Sequence, residues 1–149
     1  MPFAFESAQL NLKLFDLRRE PVLRAAREWF LLEFCPESAD ELFEIANGER
    51  NSEFRMVLGY WDMAASLVTN GAIDADSFRA AHGEIVGTFS KIQPFLSELR
   101  ARTGEAEICR HMEQVVMGMA DAETVLKRRR TALYTAHKAR QARLAEKTV

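Results

Sequence analysis

Cysteine is scarce in this 149-residue sequence: Cys35 and Cys109 stand alone and far apart. Two cysteines build neither a disulfide framework nor a four-cysteine zinc site. Long apolar runs are missing as well. Residues 29–32 and 115–120 are among the longest, and they fall far short of the ~20 residues a bilayer requires. The opening Met1-Pro2-Phe3-Ala4-Phe5-Glu6 has no basic region leading into an apolar core, so no secretory signal is expected. With its cysteines unpaired, the chain is expected in the cytoplasm. Charge of one sign is not in excess either. The net charge of -2 excludes a disordered polyelectrolyte and a uniformly basic nucleic-acid binder. What is present is 48% hydrophobic and 28% charged residues, over a length that suits one domain with a real core.

The net charge hides a split. From residue 124 to the end stand eight bases and one acid, Glu146, so this segment carries +7. The other 123 residues hold 12 bases and 21 acids, a charge of -9. Two readings follow. The tail meets an anionic partner, nucleic acid or a lipid surface, through Lys127, Arg128, Arg129, Arg130, Lys138, Arg140 and Arg143. Or it is an exposed helix folded against the acidic body of its own or another subunit. Tyr134 is its single aromatic, which leaves little for base stacking.

Apolar residues recur at intervals of three and four, without a window of clean alternation, so the pattern predicts helices and no strands. The first helix is expected at residues 6–18, its face made of Leu10, Leu14 and Leu17, widened by Leu12 and Phe15. The second opens at Pro21, carries Leu23, Ala26, Phe30 and Phe34, and is expected to stop at Pro36. Ser38 and Glu41 form a capping box for a short helix that ends at a left-handed Gly48. Asn51 or Ser52 is expected to cap a helix over residues 53–70. That helix has two apolar stripes, one from Phe54 to Val68 and one from Met56 to Leu67, which mark it as central.

Asp74 caps the next predicted helix. Its seam runs through Phe78, Ala81, Ile85, Phe89, Ile92, Leu96 and Leu99, bent at Pro94. Gly83 and Gly87 mark close helix contact. After a break at Thr103-Gly104, a last helix from near Glu105 carries Ile108, Met112, Val115, Met119, Ala122 and Leu126. The expected architecture is a single-domain all-α bundle of five to six helices with a long C-terminal helix. Residues 1–126 form the bundle domain, and residues 127–149 a basic helical extension.

Catalytic and metal motifs are few. No Glu-x-x-His, His-Glu-x-x-His, Gly-x-Ser-x-Gly or phosphate-binding glycine loop occurs. Glu107 and His111 share a helix face at a spacing of four, but two ligands make no closed metal site. Cys109 and His111 lie about 200° apart around a helix, too far to act as a pair. Asp62 sits among apolar residues of the central helix. If buried it needs a partner, with Arg55, Arg24 and Arg27 as candidates, or it is an acid with a raised pKa. No cofactor is expected.

Residues 60–68 read Tyr-Trp-Asp-Met-Ala-Ala-Ser-Leu-Val, followed by Asn70-Gly71-Ala72-Ile73-Asp74 and, later, by Ile92-Gln93-Pro94-Phe95-Leu96-Ser97-Glu98-Leu99-Arg100. Together with Ala25-Ala26-Arg27, this layout resembles an uncharacterised bacterial domain-of-unknown-function family, numbered 4760, over about residues 9–104. The resemblance implies a helical fold and brings no reaction, cofactor or catalytic residue. It also implies an N-terminal membrane helix in many relatives, which is not expected of this chain. The functional expectation is a helical interaction or scaffold protein that self-associates as a dimer through its last helix. Polyanion binding by the tail is one alternative. A small-ligand or enzymatic bundle using Asp62 or the Glu107/His111 pair is the other.

Overall fold

A computed structural model describes residues 3–149; Met1 and Pro2, the start of the stretch read for a signal, lie outside the described residues. Among the described residues every regular element is helical: α1 Ala4–Leu17, α2 Pro21–Leu32, α3 Ala39–Ala46, α4 Asn51–Thr69, α5 Ala75–Ala81, α6 Glu84–Ile92, α7 Leu96–Thr103, α8 Arg110–Met117 and α9 Ala122–Lys147. A 3-10 turn at Gln93–Phe95 joins α6 to α7 as one bent rod, because Pro94 cannot donate to the helical ladder. The rods therefore outnumber the five to six expected. Among the described residues no helix is long and apolar enough to cross a membrane.

The extra ends arise where predicted long helices are cut. The seam from Phe78 to Leu99 breaks at His82, whose φ of -128° and ψ of 50° leave the helical region. The break puts the imidazole fully inside the core. The predicted last helix is two: residues 105–109 form turns, α8 stops at Met117, and α9 starts afresh. Both restarts follow a non-glycine residue in the left-handed region, Cys109 at φ 58° and Asp121 at φ 55°. A scan for glycine and proline passes over such positions.

Helix α4 is central, packed by α2, α3 and α8, and α6 lies against α2, α8 and α9. The first stripe of α4 is buried through Phe54, Leu58, Trp61 and Ala65; of the second, Tyr60 is buried while Met56 and Met63 are exposed. Phe30 and Phe34 stack at 4.7 Å, and Phe54 of α4 closes on Phe34 at 5.5 Å. Burying each such ring contributes about 1.5–3 kcal/mol. Trp61, Phe78, Phe89, Met112 and Leu126 complete the inner core.

Several helix ends differ from expectation. α2 stops at Leu32, before Pro36, and is capped by Glu20, which accepts from the amides of Val22 and Leu23. No side chain caps α4; the Asn51 amide instead donates to the Ala46 carbonyl. Ser38 caps α3 and Asp74 caps α5 as predicted. Gly71 and Gly104 take the left-handed conformation, whereas α3 ends through Asn47 at φ -99° and Gly48 stays outside that region. A Cβ at Gly87 would meet Leu31 of α2 and Leu133 of α9 at ordinary contact distance, so α6 packs on both helices there; Gly83 faces open space.

α1 keeps only part of its predicted face: Leu14 is buried and Leu10 packs on the core. Leu12, Phe15 and Leu17 are exposed, and the buried residues are Ser7, Asn11 and Leu14. The inward polar pair is matched by polar groups of α5: the Asp74 amide donates to Ser7 Oγ, and the Asn11 amide donates to Ser77 Oγ. Periodicity cannot reveal this orientation, because it ranks residues by hydrophobicity alone.

Candidate functional site

Charged side chains divide into two populations. In the body, cations reach backbone carbonyls at helix ends. Lys91 of α6 is fully buried and donates to the carbonyls of Phe30, Leu31 and Phe34 at 2.7–2.8 Å. Those carbonyls belong to the last turn of α2 and the residues just past it, where the helix dipole favours a cation. Cys35 Sγ lies 3.5 Å from the same ammonium. Burial lowers the Lys91 pKa, opposed by Cys35, and burial raises that of the Cys35 thiol, opposed by Lys91. Nothing in the sequence marks Lys91 as interior. The one available signal is its place two residues past Phe89 and one before Ile92 on an otherwise apolar helix.

Helix α8 is held from both sides. Asp62 of α4 accepts from the Met112 amide at 2.9 Å, near its N-terminus. Arg79 of α5 donates twice to the Val115 carbonyl, at 3.0 and 3.2 Å, near its C-terminus. An anion at the start and a cation at the end both complement the dipole. Asp62 is therefore partnered by a backbone amide and not by Arg55, Arg24 or Arg27. Arg55 bonds Asn51, and Arg27 makes a two-pronged pair with Glu84 at 2.7 and 3.0 Å. Arg100 closes the residue 105–109 turns by donating to the Ile108 carbonyl.

The remaining candidates come apart. Glu107 pairs with Arg110 at 2.7 Å, while His111 Nδ1 lies 2.7 Å from Thr69 Oγ1. The two share no helix, since α8 begins only at Arg110. Among the described residues no group of three or more metal-ligating side chains converges. Burial pushes the Cys109 thiol up to about 12, so at neutral pH it is no nucleophile. His82 is buried against Asn11 Oδ1 at 3.1 Å, and burial, aided by the Arg18 charge, lowers its pKa to about 4. It is neutral at pH 7, donates through Nε2 to the Asn11 oxygen, and so orients that amide.

The second population lies on α9, 26 residues or about 39 Å long. Leu126 is fully buried, and the contacts continue beyond it. Arg130 donates to the Ser90 carbonyl, the Tyr134 hydroxyl to the Pro36 carbonyl, and His137 to the Leu32 carbonyl. Burial raises the Tyr134 pKa. Of the seven bases singled out, Lys127, Arg128, Arg129, Lys138 and Arg143 are exposed, and Arg130 and Arg140 are half-buried. Lys138 approaches Glu37 at 3.9 Å and Arg140 approaches Glu33 at 3.6 Å, so the tail meets its own acidic body at two loose ion pairs. Residues 141–149 are exposed throughout.

Fold and surface together define an all-helical bundle with a long basic helix laid along one side. The family model "Domain of unknown function (DUF4760)" matches residues 3–119, and the chain belongs to this family. The match ends just before Asp121, so α9 lies outside the matched stretch. Neither a curated protein nor a solved structure matches the chain.

Proposed function

We propose that this chain is a non-catalytic interaction module whose contact element is the outer face of α9, and that its partner is a polyanion. One observation carries the reading. The docked side of α9 is used by Leu126, Arg130, Tyr134 and His137, which leaves Lys127, Arg128, Lys138 and Arg143 exposed, with Arg129 exposed at its edge, its stem over Gly87. The residues between them are small or polar, such as Thr131, Ala132, Thr135 and Ala139, so a phosphate backbone can come close.

The test is binding of the full chain to a labelled nucleic-acid duplex over a salt series. Steep weakening with salt is expected, because neutralised phosphates release counterions. Replacing Lys127, Arg128 and Arg129 with glutamine is expected to lower the salt slope by about one unit per lost phosphate contact. No binding at low salt overturns the reading.

Self-association is a second reading, favoured by the Lys138–Glu37 and Arg140–Glu33 pairs. The tail already rests on acidic surface of this fold, and another copy offers the same surface. A mass that stays monomeric across a hundredfold concentration range removes it.

A further inference from the structure

A groove of about 370 Å³ lies between the end of α2 and the second half of α9, bordering the cationic face at Arg143. Its floor is Leu31, Leu32, Leu133 and Ala136, and its outer end carries Arg140 and Arg143. His137 also lines it, but its Nδ1 is committed to the Leu32 carbonyl at 3.0 Å. Gly87 sits beneath the floor. Leu133 and Leu31 both pack over this glycine, at ordinary contact distance from where its Cβ would stand. The volume is at the lower end of the about 300–1,000 Å³ range of small-molecule sites.

We infer that this groove binds a medium-chain carboxylate, the alkyl chain along the leucines and the head group on the Arg140–Arg143 pair. The polarity of the groove sets the class. An apolar floor ending in two guanidinium groups suits an amphipathic anion, and the planar fork of arginine matches a carboxylate. The chain itself places a carboxylate here: Glu33 stands 3.6 Å from Arg140. That separation is loose, and Arg143, one turn further on, has no carboxylate partner among the described residues. The ligand head group therefore has a free cation to take without displacing Glu33. Arg143 also belongs to the proposed polyanion surface, but the leucine floor does not, so the two readings separate by experiment.

The probe is decanoate, titrated into the full chain by calorimetry at constant ionic strength, with 1-decanol and acetate as comparisons. Saturable one-to-one binding of decanoate is expected, at least tenfold tighter than 1-decanol, with none for acetate. Ala136→Trp fills the groove from an exposed position and is expected to abolish binding while helicity and melting temperature stay unchanged. Arg143→Gln, a change at a solvent-exposed side chain, is expected to weaken decanoate at least tenfold and leave 1-decanol unchanged. The inference is overturned if decanoate does not bind, if 1-decanol binds equally well, or if Ala136→Trp binds decanoate as the parent does. It is equally overturned if anionic phospholipid vesicles bind and monomeric decanoate does not. Duplex binding measured on Ala136→Trp is expected to persist. If the parent chain binds the duplex but not decanoate, this inference falls alone and the polyanion reading stands.

Discussion

The body and α9 use the same residue types for opposite ends. In the body, Lys91, Arg79 and Arg100 aim at backbone carbonyls and Asp62 aims at a backbone amide. On α9, Lys127, Arg128, Arg129 and Arg143 are exposed and make no ion pair among the described residues. The body needs these clamps because many of its helices are short. Helices α3, α7 and α8 have 8 residues each, too few to be stable without packing and capping from outside. At 26 residues α9 sustains its own ladder, and its charges are left over for other contacts. A count of charges by segment separates the two regions but cannot say which charges close the fold and which face outward.

That contrast can be broken or sharpened by experiment. Lys91→Ala is expected to have the largest effect, about 3–5 kcal/mol less stable in urea unfolding, because it leaves buried carbonyls unpaired beside a cavity. A loss under about 1 kcal/mol would mean that water replaces the ammonium and that the clamp is dispensable.

Acid comes next. The unfolded His82 side chain titrates near 6.5, and burial in the folded chain lowers it to about 4. Between those values the unfolded state takes up a proton that the folded state does not, so stability falls as pH falls. The contribution is on the order of 3 kcal/mol, complete near pH 4. The pH dependence of His82→Gln should be flatter than that of the parent between pH 6.5 and 4. Parallel curves would place the acid sensitivity elsewhere.

Asp62→Ala is expected to cost about 1–2 kcal/mol, the usual range for a lost helix N-cap. The loss should show as faster amide exchange in α8 with little change in α9. Equal loosening of both helices would show that α9 depends on α8 and would blur the boundary between the regions. Removing residues 141–149 should change stability by less than about 0.5 kcal/mol, since the segment is exposed throughout. A larger loss would give the distal tail a structural part.

Much of the helical plan was legible. The caps at Ser38 and Asp74, the bend at Pro94 and the central place of α4 follow from local chemistry and periodicity, whereas the left-handed stop expected at Gly48 is absent. The family resemblance, read from residues 60–100 and from Ala25-Ala26-Arg27, agrees with the match over residues 3–119. What escaped was mostly non-local. Cys109 and Asp121 take the left-handed conformation at non-glycine positions, and the expected apolar seam runs past Gly118, which ends α8, without a break. α1 turns Ser7 and Asn11 inward because α5 and His82 supply their partners, and those partners lie more than sixty residues away. Lys91 reads as a solvated base until α2 is seen ending above it. The bases of α9 were found from composition alone, since a run of like charge is a local property.

The enclosure of Lys91 has a consequence for measurement. Its ammonium is bound on the inside of the α2–α6 junction with no surface open to solvent. An amine-reactive reagent therefore reaches it only during openings that part the two helices. Lys13, Lys127 and Lys138 are exposed and react directly, as an internal reference on the same chain. The labelling rate of Lys91 relative to theirs is a clock for the opening of the core, read by peptide mass without any introduced probe.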